Sequence, residues 1–411
     1  MSRGSGHATL GIGGVGSIEL QDDTRLVALA SDGRPARAGD GVAAQLVRSI
    51  LADDDTLLTT DIGTPDIVTV APGPAGDLTE LGIDVDQTHQ SVIVSGRYVV
   101  KLVSAWGAAD RAARQLQALA AARSPDIPTF RGHLDWEHPE LGRSTIALVS
   151  DYVPEAQDGW TWAALDVLAH LQQGAAEPTW PGELGALTAR LHLALASAAV
   201  PASPGDGVRM RTRAHAALDR ALEVTEGTAK PRLSHRISAI AAAMDSIPDD
   251  PTCPRFAGHG DLHVGQVLRA AGRYWVLDLD GDPQLGADER DEPEPAARDL
   301  AHLLVSVDQV AAVVQRRIGG PVPDCLEWAD RARADLLAAY LTELEAHERR
   351  DLLDERLLAG LQAEQVVREL VYAATFLPPW MYAGEGTLVT RYPTAPGVEE
   401  EPWTPPAFAP T

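Results

Sequence analysis

The segment from residue 259 to residue 282 constrains the fold more than any other part of the chain. It reads HGDLHVGQVL, then a short basic loop, then YWVLDLDGD. Asp261 is expected in a loop, and Asp278 in or at the end of a strand, because apolar β-forming residues surround it. A carboxylate in that position is costly to bury unless a cation pairs with it. The segment therefore predicts a site where acidic side chains and a cation meet beside a strand.

The spacing of these polar residues has the layout of a phosphotransfer site. It resembles the protein kinases, in which one Asp serves as the base and an Asn and a second Asp hold Mg²⁺. By this resemblance Asp261 is the catalytic base, and Gln266, Asp278 and Asp280 are the metal ligands. A polar hairpin with capping aspartates would explain an isolated His-Gly-Asp, but it does not explain the complete set at this spacing.

The same segment is similar to a narrower family, the actinobacterial maltokinases, which belong to the aminoglycoside-phosphotransferase-like kinases. Maltokinases show DFEGEP where this chain has DLDGDP. The resemblance covers most of residues 30–385. It implies an α+β, bilobal fold like that of eukaryotic protein kinases, with ATP as phosphate donor and Mg²⁺ as cofactor.

The remaining sequence divides into three predicted parts. Residues 1–88 have short β-type runs around a helical stretch at 42–51, which predicts a small N-terminal α+β cap; the glycines in GIGGVG are expected in turns. Residues 89–153 are expected to form the kinase N-lobe with its hinge. Residues 154–411 are mostly helical in pattern and predict a C-lobe, whose Pro- and Glu-rich end is expected to be loosely held.

Lys101 is the candidate phosphate-binding residue. It follows two valines, as the conserved kinase lysine does, although a lysine on an edge strand would show the same local pattern. The helix predicted at 108–121 has no Glu to pair with it, so the partner is either Asp110 or an acid from elsewhere.

Other nucleotide contacts are expected on both sides of this lysine. Gln90 and Ser91 belong to the loop 88–91, which would cover the phosphates. A strand then leads into a connector that resembles the kinase hinge, where backbone groups contact adenine, although an ordinary core strand would have the same pattern. The hinge candidates are Asp151, Tyr152 and Val153.

The C-terminal helix predicted at 351–376 differs from the maltokinase pattern in the residues expected to contact the sugar. Glu369 is kept, but Ala373 replaces a second Glu, and LPPW replaces Arg-Pro-x-Trp. This pattern resembles the actinobacterial glucosamine kinases, and a carboxylate suits a cationic amino sugar. The candidate substrate-binding residues are Asp261, His263, Arg298, Asp299, Asp308, Glu369 and Trp380.

Purely structural roles remain open for several of these residues. Asp299 lies at a helix start, where an acid is favoured by the helix dipole. Trp380 would pack against the end of a helix. His192 and His302 are expected to be polar positions in helix packing.

Composition restricts the partners and the compartment. The formal net charge of -25 argues against nucleic acid and anionic membranes as partners, although solubility alone would also account for it. Two cysteines give no disulfide framework. No signal peptide and no 18-residue apolar stretch is evident. We expect a cytoplasmic monomer or dimer.

The function expected from these features is ATP-dependent phosphorylation of a small sugar, foremost glucosamine, at the 6-position by family resemblance. Three alternatives stay open: a maltokinase that forms maltose 1-phosphate, an aminoglycoside kinase, and a regulatory pseudokinase that only binds nucleotide. The intact set of Asp261, Gln266 and Asp278 argues against the last.

Overall fold

The alternating apolar runs near the N-terminus form a small antiparallel sheet in the computed structural model, which describes residues 8–82 and 90–406. Its strands are β1 (Ala8–Ile12), β2 (Gly16–Gln21), β3 (Arg25–Ala30) and β4 (Leu58–Thr60). They lie in the order β3-β2-β1-β4, and helix α1 (Val42–Ala52) follows β3. Gly13 and Gly14 form the turn between β1 and β2 at φ 52° and 74°, as expected, whereas Gly11 and Gly16 lie in the two strands themselves and not in turns.

A second, six-stranded sheet carries the predicted nucleotide residues. Its strands are β5 (Thr64–Thr69), β6 (Glu80–Gly82), β7 (Gln90–Val94), β8 (Tyr98–Leu102), β9 (Phe130–His138) and β10 (Gly142–Asp151). Their order is β5-β9-β10-β8-β7-β6, and α2 (Asp110–Ala121) follows β8. Two residues of the predicted phosphate-covering loop, Thr88 and His89, lie outside the described residues.

The chain forms two compact units, residues 1–156 with 270–291 and residues 157–269 with 292–411. The first unit contains the four-stranded and the six-stranded sheet. It also includes β13 (Arg273–Val276) and α8 (Ala287–Asp291), which come from a later part of the chain. β5 and β6 precede residue 88, yet they pair with strands that follow it. The division into cap, N-lobe and C-lobe therefore stays a prediction.

The second unit is mostly helical, as its periodicity indicated. Its α-helices are α3 (Gly159–Gln173), α4 (Trp180–Leu195), α5 (Asp206–Val224), α6 (Ala229–Ser234), α7 (Ile237–Asp245), α9 (Ala297–Ile318), α10 (Pro323–Ala346), α11 (Leu358–Thr375) and α12 (Met381–Arg391). Its short strands are β11 (Arg255–Phe256) and β14 (Glu294–Pro295), and β12 (Val267–Ala270) ends at the boundary of the two units. Single 3-10 turns lie at Ala196–Ala198, Val264–Gln266, Arg350–Leu352, Glu355–Leu357 and Pro378–Trp380.

Helix α9 is the centre of this helical unit. It is buried on nearly every side and packs against α3, α10, α11 and α12. A helix with polar residues in so buried a position must satisfy them with partners inside the protein. Asp299, His302 and Asp308 are such residues, and their partners define the site described below.

Two expectations about the C-terminal region need correction. The helix predicted from residue 351 begins only at Leu358, because the preceding residues form two 3-10 turns and Asp354 caps the second by accepting from the Arg356 N–H. The predicted loose end is wrong for the described residues. Glu400 binds Arg236 at 2.7 Å, and Trp403 is only 9% exposed. An ion pair and a buried aromatic ring together hold this segment in place.

No helix in the described part of the chain is long and apolar enough to cross a membrane.

Candidate active site

Lys101 meets two aspartates in the first unit. Its Nζ atom lies 3.2 Å from Oδ1 of Asp278 and also contacts the carboxylate of Asp280. Burial lowers the pKa of Lys101, but the two carboxylates outweigh that effect and raise the pKa above its ordinary value. Lys101 lies on β8, which has β10 on one side and β7 on the other, so the edge-strand interpretation of this lysine is excluded.

The acid partners of Lys101 come from the segment after β13 and not from α2. Asp110, the acid at the start of α2, accepts a hydrogen bond of 2.7 Å from the Thr145 N–H. Asp278 lies two residues beyond the end of β13 and has a φ of 60°. A non-glycine residue in this left-handed region is strained and needs support from its surroundings. The lysine contact with its carboxylate is one such support.

The two loop candidates lie at the start of β7. Gln90 is exposed, and its Nε2 donates a hydrogen bond of 3.0 Å to the Ala36 carbonyl. Ser91 on β7 is paired directly with Lys101 on β8. Their contact with phosphate stays a prediction.

The hinge candidates lie at the end of β10. The Asp151 carboxylate accepts two hydrogen bonds from Arg131, at 2.6 and 2.9 Å, and the Tyr152 N–H donates to the Arg97 carbonyl at 2.7 Å. A cavity of about 550 Å³ beside them is lined by residues that include Phe130, Asp151, Tyr152, Val153 and Trp275. The side chain of Asp151 is thus occupied by an ion pair, and adenine binding by the hinge backbone stays a prediction.

Asp299 organises the loop that carries Asp261. Its carboxylate accepts the N–H groups of His259 and Gly260 at 2.6 and 2.7 Å. His192 contacts the same carboxylate at 3.1 Å. Burial opposes ionisation of Asp299, but these partners hold its pKa well below the ordinary value. Asp299 therefore orients the backbone next to Asp261, and it does not cap its own helix.

Asp261, His302 and Glu369 form a line of three polar groups in the second unit. His302 Nδ1 lies 3.6 Å from Asp261 Oδ1, and His302 Nε2 lies 3.1 Å from Glu369 Oε1. Gln309 and Gln365 donate to the Glu369 carboxylate at 2.9 and 2.8 Å. Burial alone would raise the pKa of Glu369, but His302 and Gln309 lower it to about 2. The structure thus brings two predicted residues together through His302.

The sequence predicts a helix-packing position for His302, whereas the structure places it in contact with both Asp261 and Glu369. The available signal was its spacing: His302 lies three residues after Asp299, and residues at that separation share one face of a helix. Because Asp299 is a candidate for the acceptor pocket, His302 on the same helix face is a candidate too.

Aromatic rings line the same region. Trp160 stacks on His263 with ring centroids 5.5 Å apart, and it meets Trp380 edge-on at 5.0 Å. His263 also lies 5.3 Å from His302 between ring centroids. Burial and the neighbouring His302 lower the pKa of His263 to about 3, so this ring is neutral near pH 7. Trp160 was not predicted, because it belongs to no recognisable motif.

Two predicted substrate residues are engaged in ion pairs within the helical unit. Arg298 donates to Glu364 at 2.7 Å, and Asp308 accepts from Arg333 at 2.7 Å and also contacts Arg391. Their contact with a sugar stays a prediction. The metal candidate Gln266 lies in the 3-10 turn after Asp261, where its N–H donates to the His263 carbonyl at 2.9 Å.

Comparisons with known proteins agree with this arrangement. The chain is 36% identical to a glucosamine kinase of Streptacidiphilus jiangxiensis, covering 95% of this chain and 90% of that protein. It is 35% identical to a glucosamine kinase of Mycolicibacterium smegmatis, covering 86% of this chain and 89% of that protein. No protein-family model matches the chain.

Solved structures show the same fold. A crystal structure of a glucosamine kinase matches with a TM-score of 0.78 and 33% identity, covering 93% of this chain and 94% of that one. A glucosamine kinase in complex with glucosamine, ADP and inorganic phosphate matches with a TM-score of 0.77 and 32% identity, covering 92% of each chain. The predicted resemblance and the α+β kinase fold are confirmed. With relatives this similar along nearly its whole length, the chain belongs to the glucosamine kinase family.

Proposed function

We propose that this chain transfers the terminal phosphoryl group of ATP to a hydroxyl of glucosamine, the 6-hydroxyl by family resemblance. The proposal that the sugar is glucosamine depends on the environment of Glu369. Its side chain is 12% exposed and ionised, and its partners are an imidazole and two amides. A largely shielded carboxylate of this kind is suited to a substrate that brings its own positive charge.

Other largely shielded carboxylates of the helical unit have a different environment. The structure pairs Glu364 with Arg298, Asp308 with Arg333, and Glu400 with Arg236. Within the described ranges, no arginine or lysine pairs with Glu369. A carboxylate that faces an ammonium group forms a charge-assisted hydrogen bond, which is stronger than a bond to a neutral hydroxyl. Glucosamine supplies that ammonium group, whereas glucose and maltose do not.

The roles in the reaction follow from the chemistry of the side chains. Asp261 orients the acceptor hydroxyl and takes its proton, while Lys101 neutralises charge on the ATP phosphates. Catalysis by such groups consists of positioning and charge neutralisation, because the phosphoryl group itself needs no covalent partner on the protein. His263 and Trp380 provide a wall against which a sugar ring can pack. The predicted cytoplasmic location would supply ATP.

The residues also fit a magnesium ion. The carboxylates of Asp278 and Asp280 converge on one Nζ atom, so they can act together on one cation. No group of three or more acidic, His or Cys side chains with metal-site geometry occurs among the described residues. A site with few protein carboxylates is typical of Mg²⁺, which takes its other ligands from phosphates and water. An ion bound by these two carboxylates would neutralise phosphate charge.

An ADP-release assay with several acceptors tests the proposal. We expect glucosamine to give a kcat/KM at least about tenfold above that of glucose, the ratio expected from one charge-assisted hydrogen bond. Maltose and an aminoglycoside serve as competing acceptors, and a reaction without acceptor gives the ATPase background. A preference for maltose would contradict the sugar assignment. ATP binding by calorimetry without turnover on any acceptor would indicate a regulatory protein instead.

A further inference from the structure

We infer that the cavity beside residues 151–153 is a second ligand site, separate from the nucleotide site, for a small anion that carries an apolar group. The cavity has a volume of about 550 Å³, which lies within the range of roughly 300–1,000 Å³ that is usual for small-molecule pockets. All of its lining residues belong to the first unit. The inference does not depend on the proposed function, because it concerns binding away from the reacting groups.

The position of the cavity on the sheet separates it from the phosphate-binding side. Lys101 is paired directly with Leu148 on β10, and successive side chains of a strand point to opposite faces. Asp151 lies an odd number of residues beyond Leu148, so its side chain points to the face opposite Lys101. Of the described residues that line the cavity, none belongs to β7 or β8, and Asp278 and Asp280 are not among them. A ligand in the cavity would therefore leave the predicted phosphate site free.

The inner wall of the cavity is apolar. Ile127, Pro128 and Phe130 come from the segment that leads into β9, and Phe130 is only 1% exposed. Trp275 on β13 and Ala120 on α2 continue the wall. Transfer of an apolar group from water to such a wall is favourable, because it removes apolar surface from water. The wall is therefore suited to a ring or a short hydrocarbon chain.

Two arginines stand at the edge of this wall, Arg123 after α2 and Arg273 on β13. Both are exposed, and neither has an acidic partner in the described part of the chain. Arg273 donates a hydrogen bond of 3.4 Å to the Pro125 carbonyl, and its guanidinium lies 5.0 Å from the centroid of the Trp275 ring. Because a guanidinium has five N–H donors, both arginines retain donors for an anion.

The acidic side chain in the wall is already neutralised. Asp151 lines the cavity, and an unpaired carboxylate there would repel an anion. Arg131 donates to both of its oxygens, at 2.6 and 2.9 Å, so the two charges offset each other. The other charged residues of the described wall are Arg123 and Arg273. The wall is thus positively charged on a chain whose formal net charge is -25, which concentrates anions at this place.

The chemistry of the wall defines the class of ligand. A guanidinium binds carboxylates and phosphates through two parallel hydrogen bonds, while the apolar wall disfavours a ligand that is charged throughout. The ligand therefore combines one anionic group with an aromatic ring or a short apolar chain. The fluorescent dye anilinonaphthalene sulfonate has this combination, and phenylnaphthylamine has the same rings without the sulfonate. The two dyes serve as matched probes of the site.

Fluorescence titration of the full chain with both dyes tests the inference. Joint replacement of Arg123 and Arg273 by Gln should raise the Kd of the sulfonate dye about tenfold, because each partly exposed charge pair contributes up to about fivefold. The Kd of the neutral dye should change by less than about twofold. Arg48→Gln, which removes an exposed arginine of α1, is the control. Ala120→Phe, which places a ring in the cavity, should weaken the binding of both dyes.

Saturating ATP with Mg²⁺ should leave the Kd of the sulfonate dye within about twofold, whereas competition between them would place the dye in the nucleotide site and overturn the inference. Equal losses for both dyes in the double arginine variant would overturn recognition of the anion. Wild-type binding in Ala120→Phe would place the dyes outside the cavity. A loss in Phe376→Ser would place them at the exposed Phe376. Unfolding temperatures show that each variant is folded, and turnover of glucosamine in the same samples reports on the proposed function separately.

Discussion

Replacement of Glu369 by Gln removes one negative charge and almost no volume. In the wild type three side chains contact this carboxylate, namely His302, Gln309 and Gln365. A carboxylate offers about four lone-pair sites, so roughly one site remains for the substrate. The substitution therefore tests a single contact with the sugar.

The size of the effect follows from the type of bond lost. A hydrogen bond to a charged group contributes about 1.5–3 kcal/mol when it is shielded from water. This free energy corresponds to roughly 10- to 150-fold in kcat/KM. The variant amide can still accept a hydrogen bond through its oxygen, and the amides of Gln309 and Gln365 can flip to accommodate its NH₂ group. The lost charge thus remains the main difference between the two proteins.

The assay compares kcat/KM for glucosamine and for glucose in wild type and Glu369→Gln. Glucose is the matched control substrate, because it has a hydroxyl where glucosamine has an ammonium group. We expect the variant to lose roughly 10- to 150-fold on glucosamine and much less on glucose. Equal losses on both sugars would show that Glu369 does not recognise the ammonium group, and the kinase assignment would stand without it.

The other predictions concern phosphoryl transfer and acid stability. Asp261→Asn should reduce kcat by about 10²–10⁴-fold while calorimetry shows nearly unchanged ATP binding; retention of more than about a tenth of the rate would exclude Asp261 as the base. Asp278→Ala should reduce turnover and raise the Mg²⁺ requirement of the remaining activity more than Gln266→Ala does, because a carboxylate binds the ion more strongly than an amide; the reverse order would refute the metal assignment. Lys101→Ala should raise KM for ATP, and unchanged kinetics would place the phosphate clamp elsewhere. Because the pKa of Glu369 is lowered to about 2, its charge stabilises the fold above its ordinary pKa of 4.5 and loses that effect as the pH falls toward 2. The difference in unfolding free energy between wild type and Glu369→Gln, measured in urea, should therefore shrink over this range.

The family and the residue types of the segment 259–282 can be read from the sequence. Asp261, Gln266 and Asp278 stand out in the sequence because the predicted phosphotransfer site needs a base and oxygen ligands for a metal at a limited set of spacings along a loop and the following strand. The helical character of the second unit was also readable, since apolar residues recur with the period of a helix. These signals are local, and a single sequence contains them in full.

Which side chains meet depends on the folded chain. Lys101 pairs with Asp278 and Asp280, which follow it by more than 170 residues, and His302 lies between Asp261 and Glu369. Helical periodicity shows which face of a helix is buried, but it does not show which element covers that face. The partner of a buried polar group depends on the packing of distant segments, where burial without a partner is costly. For that reason the contacts around Asp261 are visible only in the folded chain.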